Sequence, residues 1–79
     1  MGFDPNIQFE DLQNSTVLHL AAANGHLILV HVLVQAGASL DSMDSLLQTP
    51  VMLSIDNGHT LVSQYLVKAG SSLDARVIL

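Results

Sequence analysis

Of the side chains in this sequence, His19, His26, His31 and His59 are the best equipped for metal binding or proton transfer. Their spacing argues against both. His19 and His26 stand seven residues apart and His26 and His31 five apart, whereas two ligands on one helical face need a separation of three or four with a third nearby. The chain has no cysteine, so thiolate metal centres and disulfides are excluded. Nucleophilic chemistry finds no better footing. Ser15, Ser39, Ser42 and Ser45 fall in turn-like stretches, and none sits in a Gly-x-Ser-x-Gly elbow. Asp41 and Asp44 can share a loop face, but their plainer role is to cap turns with their carboxylates. The five glycines stand apart from one another and form no phosphate-binding loop. The residues therefore predict no enzyme, no cofactor and no metal.

The elements that hold these residues emerge when the chain is slid along itself. At a shift of 33 residues, Thr16 meets Thr49, Leu20 meets Leu53, and Asn24-Gly25-His26 meets Asn57-Gly58-His59. Leu33-Val34, Ala36-Gly37 and Ser39-Leu40-Asp41 meet Leu66-Val67, Ala69-Gly70 and Ser72-Leu73-Asp74. That makes 12 identities over residues 16–42, too many at one offset for chance. Asp11 and Asp44 extend the register upstream. A fixed period of this length marks stacked structural units.

Local chemistry describes the unit. Thr16 and Thr49 are suited to cap helices, and Pro50 suits a first helical turn, where its missing N–H is not needed. Gly25 and Gly58 can adopt the left-handed conformation that stops a helix near Asn24 and Asn57. A second helix is predicted over about Leu27 to Ala36 and Thr60 to Ala69, ended by Gly37 and Gly70. The segment from Ala38 to Gln48 is rich in Ser and Asp, which is turn chemistry.

Together these motifs resemble the ankyrin repeat. Thr16-Val17-Leu18-His19-Leu20-Ala21-Ala22 is similar to the family's Thr-Pro-Leu-His core motif with valine for proline, and Thr49-Pro50-Val51-Met52 is similar with methionine for histidine. The resemblance implies an all-α fold, an elongated solenoid of helix-turn-helix units joined by hairpin-like loops. It divides the chain into 1–15, the end of a preceding repeat or an N-terminal loop; 16–48, a first repeat; and 49–79, a degenerate and truncated second repeat. It also gives His19, His26 and His59 structural hydrogen-bonding roles. Asn14 and Leu47 occupy a loop position where the family usually has glycine. Ile55 stands where it has a small alanine at a close helix contact, and Ile28 and His31 stand where it is usually charged. Val77-Ile78-Leu79 form an apolar run where an acidic residue would open a further unit. In the family, loop tips and the exposed side of the first helix touch partners. Those positions here are Leu12, Gln13, Ser15, Ala23 and Asn24, then Ser45, Leu46, Gln48, Asp56 and Asn57, with Met43 beside Leu46 on the loop tip. The stretches Val34–Ala38 and Tyr65–Gly70 also resemble ankyrin arrays of histone-lysine methyltransferases, which read methylated lysine with an aromatic cage. Phe3, Phe9 and Tyr65 do not fall at cage positions, so that activity is not implied.

Charge narrows the partner. The net charge is −5, with Lys68 and Arg76 the only basic residues. Two cations cannot displace counterions from a nucleic acid or bind an anionic membrane surface. Charged residues are 11% of the chain and hydrophobic ones 49%, which implies apolar surface covered by something outside the chain. Val17 to Val34 carries no formal charge and is long enough to suggest a membrane span. Asn24-Gly25 in its middle, and no basic flank, favour two packed helices instead. The first twelve residues carry Asp4, Glu10 and Asp11 and no secretory pattern. The reading is a non-catalytic protein–protein interaction module or scaffold piece, intracellular (cytoplasmic or nuclear), with self-association through apolar ends as a further property. The alternative is a structural stacking or oligomerisation segment with no partner surface of its own.

Overall fold

A computed structural model of the chain describes residues 4–71. Four α-helices follow one short 3-10 turn at Glu10–Leu12: α1 (Val17–Ala23), α2 (Leu27–Gln35), α3 (Pro50–Asp56) and α4 (Thr60–Ala69). Among the described residues the only extended pairing is an isolated bridge between Phe9 and Ser15. The class is all-α. The uncharged run from Val17 is broken at Gly25 into α1 and α2, and no described helix is long and apolar enough to cross a membrane.

Glycine sets both reversals. Gly25 and Gly58 take φ of +74° and +77°, a region that a Cβ makes costly, and each follows the last turn of a first helix. Just before them, the Asn24 and Asn57 side-chain amides donate to the carbonyls of Leu20 and Leu53 at 2.8 and 3.0 Å, satisfying groups that helix ends leave open. The chain then doubles back. α1 packs on α2 and on α3, α3 on α4, and α2 on α4, so first helices form one layer and second helices another. Leu18, Ala21, Ala22, Val30, Leu33, Val51, Val62 and Leu66 fill the space between the layers. Leu18 with Val51, and Leu33 with Leu66, are the same position one period apart.

Two features depart from the sequence reading. Thr49 occupies the N-cap position of α3 with Pro50 next, yet its hydroxyl makes no cap bond, and Oγ1 is buried without a partner. In α1 the Thr16 hydroxyl accepts the His19 backbone N–H while the His19 ring accepts the Thr16 N–H; Met52, at the matching place in α3, lacks the ring nitrogen for the second of these bonds. Ile55 is not at a close helix contact; it is 40% exposed. Its counterpart Ala22 is sealed because α3 covers α1, and no described helix follows α3 on the same side. The inner position of α3 belongs to Ser54, whose Oγ donates to the Val51 carbonyl and lies 2.7 Å from Ser63 Oγ. The Val77–Leu79 run, Phe3 and the end of the second repeat lie outside the described residues.

Candidate functional site

The loop between the units is tied down by buried polar groups. His19 is fully buried, and its Nδ1 accepts the Thr16 backbone N–H at 3.1 Å. That bond leaves the ring proton on Nε2, which donates to the Gln48 carbonyl at 2.8 Å. The Thr16 hydroxyl lies 2.8 Å from Nδ1 and accepts the His19 N–H at 3.2 Å, closing the capping box. His19 thus clamps the start of one repeat-like unit to the loop that enters the next. Both of its ring nitrogens are engaged, so it is a structural residue and not a proton shuttle.

Asp44 holds the turn itself. Its Oδ1 accepts the backbone N–H groups of Leu46 and Gln48, each at 2.9 Å. The turn forces Leu47 to φ +61°, and the preceding loop holds Gln13 and Asn14 at +59°. Asn14 and Leu47 are the two positions where the family resemblance places glycine; Gln13 adopts the same conformation without that signal. Successive loops are stitched together: the Ser45 N–H and hydroxyl both donate to the Gln13 carbonyl, at 2.8 and 2.9 Å. The Gln8 side-chain amide bridges the carbonyls of Asn14 and Met43.

Between these loops and the first helices lies an open groove of about 410 Å³. It is walled by Leu12, Gln13, Ser15, Ala23 and Gln48 from the expected contact set, and by Leu20 and Leu53 from α1 and α3. Asp11 and Asp44 line the loop side. The remaining expected positions divide. Met43 and Leu46 are 50% and 58% exposed at the loop tip, an apolar knob beside the groove. Asp56 is exposed and 3.5 Å from the Gln48 side-chain amide. Asn24 and Asn57 are exposed, but their amides are used within their own helices. Ser45 is exposed while its hydroxyl is occupied by Gln13. Ser15 lines the groove from below: it is largely buried, and its backbone pairs with Phe9 and Leu12 to close the loop.

The inter-helix turns stack on each other through one contact. A Cβ on Gly25 would stand 2.5 Å from His59 Nδ1, so the His59 ring lies directly on the glycine of the preceding turn. His59 therefore has a packing role, where the resemblance implies a hydrogen-bonding one; neither His26 nor His59 makes a side-chain cap bond. Tyr65 does not form a cage. Its hydroxyl is 2.9 Å from His31 Nδ1, and the rings meet edge-on at 5.5 Å on the layer of second helices. Among the described residues no group of three His, Asp or Glu side chains is placed to hold a metal ion.

Comparison with known proteins agrees with this architecture. The family model described as ankyrin repeats (3 copies) matches residues 1–77. The chain is also 46% identical over 41 residues to histone-lysine N-methyltransferase EHMT1 of Mus musculus and of Homo sapiens. That match covers 52% of this chain and only 3% of the length of either relative. Helix pairs turned by Asn-Gly, a Thr–His clamp and a period of 33 are thus joined by a match over nearly the whole chain: it belongs to the ankyrin-repeat family, whose members are in general modules for binding other proteins.

Proposed function

We propose that this chain is a non-catalytic module that holds a segment of another protein in the groove between its loops and first helices. Residues 16–48 and 49–79 each supply one repeat to that groove, and 1–15 supply the loop of a preceding one. The observation that carries the reading is the joining of apolar Leu12, Leu20, Ala23 and Leu53 with the carboxylates of Asp11 and Asp44 in one concave surface. Concave, mostly apolar sites with a few fixed polar groups are where ligands bind. Asp44 is committed to its own turn, so Asp11, with Glu10 and Asp56 nearby in exposed positions, sets the sign of the rim. The chemistry selects an extended peptide with a basic side chain flanked by apolar ones. The relatives' name declares action on histone lysine, and a lysine-bearing tail is such a peptide. A nuclear or cytoplasmic setting fits a cysteine-free chain of this kind.

The test is an NMR titration of the full chain with a lysine-containing, apolar-flanked peptide and with its glutamate-substituted counterpart. Shifts centred on Leu12, Gln13, Ala23 and Gln48 are expected for the basic peptide alone, and Leu12→Arg is expected to weaken binding at least about tenfold. Equal binding of the acidic peptide, or shifts confined to α2 and α4, would remove the proposal.

A further inference from the structure

The layer of second helices carries a feature that the groove reading leaves unused. α2 has no charged residue, and α4 has only Lys68, in its last turn. On this layer Ile28 is 81% exposed, Leu61 67%, Val32 53% and Leu29 42%. Between the two helices runs an open, apolar trough of about 340 Å³, walled by Leu27, Ile28, His31, Leu61 and Tyr65. The largest apolar patch on a monomer, commonly about 300–600 Å², is often a contact face.

We propose that a second copy of this chain docks here, with the Ile28 ridge of each copy seated in the trough of the other. Three observations favour this occupant. The face carries both a ridge and a recess, which is what a two-fold contact requires of a single surface. The described acidic residues, Asp4, Glu10, Asp11, Asp41, Asp44 and Asp56, all lie off α2 and α4. A back-to-back pair therefore keeps its two acidic sides apart, whereas a pair joined through the loops would bring them together. Area is the third. A specific interface needs on the order of 1,000 Å² in all, about half from each copy, and Ile28, Leu29, Val32 and Leu61, between 42% and 81% exposed, are the apolar area that the two helices bring to that small total. The dimer is thus weak and reversible, and it leaves the groove of each copy facing outward. The proposal is independent of what that groove binds.

Sedimentation equilibrium of the full chain over a concentration series tests it, with circular dichroism to confirm unchanged helix content. The expected result is a monomer–dimer equilibrium with a dissociation constant of roughly 10–100 μM, insensitive to salt. Ile28→Glu and, separately, Leu61→Glu should each weaken it at least about tenfold, since both residues are exposed and neither change touches the core. Leu46→Glu, on the loop tip, should leave it unchanged. Because the chain has no cysteine, Ile28→Cys with a short bis-maleimide should give a cross-linked dimer where Leu46→Cys does not. A monomer up to millimolar concentration, a dimer indifferent to Ile28→Glu and Leu61→Glu, or a dimer broken by Leu46→Glu would overturn the proposal. So would partition of a monomer onto neutral phosphatidylcholine vesicles through this face.

Discussion

Replacing Gly25 and Gly58 separately by alanine measures the contact that stacks one unit on the next. Both glycines have nearly the same positive φ, +74° and +77°, so the backbone penalty is shared. A left-handed L-residue costs about 1–2 kcal/mol, offset by roughly 0.4–1 kcal/mol from the stiffer unfolded chain. The surroundings differ. A Cβ at Gly58 meets nothing within 4 Å, whereas at Gly25 it would lie 2.5, 2.8 and 2.9 Å from three ring atoms of His59. Displacing that ring adds an overpacking cost of about 1–3 kcal/mol. Gly58→Ala should therefore cost about 1 kcal/mol and Gly25→Ala about 2–4 kcal/mol. In a His59→Ala background the Gly25→Ala penalty should fall to the Gly58 value, a coupling of about 1–3 kcal/mol. Urea unfolding followed by far-ultraviolet circular dichroism reads all of these. A stabilising osmolyte keeps the weaker variants folded, because a chain of this size has roughly 4–12 kcal/mol in all. Equal losses at the two glycines, or no coupling to His59, would refute the stacking contact.

Other substitutions separate the two repeats by the same urea series. His19→Ala should cost about 3–5 kcal/mol, because it opens a cavity and strips the Gln48 carbonyl and the Thr16 N–H of partners. Thr16→Val should cost about 1–2 kcal/mol for its lost cap, while Thr49→Val should be neutral or stabilising by up to about 1 kcal/mol, since its buried hydroxyl has no partner to lose. Leu47→Gly should raise stability by about 0.5 kcal/mol, relief of its φ of +61° outweighing the added backbone freedom. Appending a further ankyrin repeat beyond α4 should raise the unfolding midpoint and sharpen the transition, because each unit gains most of its stability from neighbours.

Much of the fold was legible because it is local. Thr16, Pro50 and the glycines at 25, 37, 58 and 70 are read within one turn of where they act, and the helices begin and end where those residues stand. The rest depends on what lies across the fold. Ile55 and Ala22 share a register position, yet α3 seals Ala22 and no described helix covers Ile55; a period in the sequence does not say which faces are covered. Thr49 matches Thr16 in type and position, yet its hydroxyl makes no cap bond, so a matching cap residue does not by itself fix the hydroxyl's partner. The candidate groove was legible only in outline. Its loop positions could be carried over from the family, but the burial of Ser15 and the stitching of Ser45 to the Gln13 carbonyl come from contacts between loops. The trough on α2 and α4 left a different trace, an uncharged second helix with Ile28 and His31 at usually charged positions.

The most direct test is a nuclear Overhauser contact between the His59 ring protons and the Gly25 α-protons in the folded chain. The stacked arrangement predicts a strong cross-peak, together with a break in sequential helical contacts between Ala23 and Leu27. Unbroken helical contacts through Gly25, with no signal from His59, would contradict it and dissolve the groove built upon it.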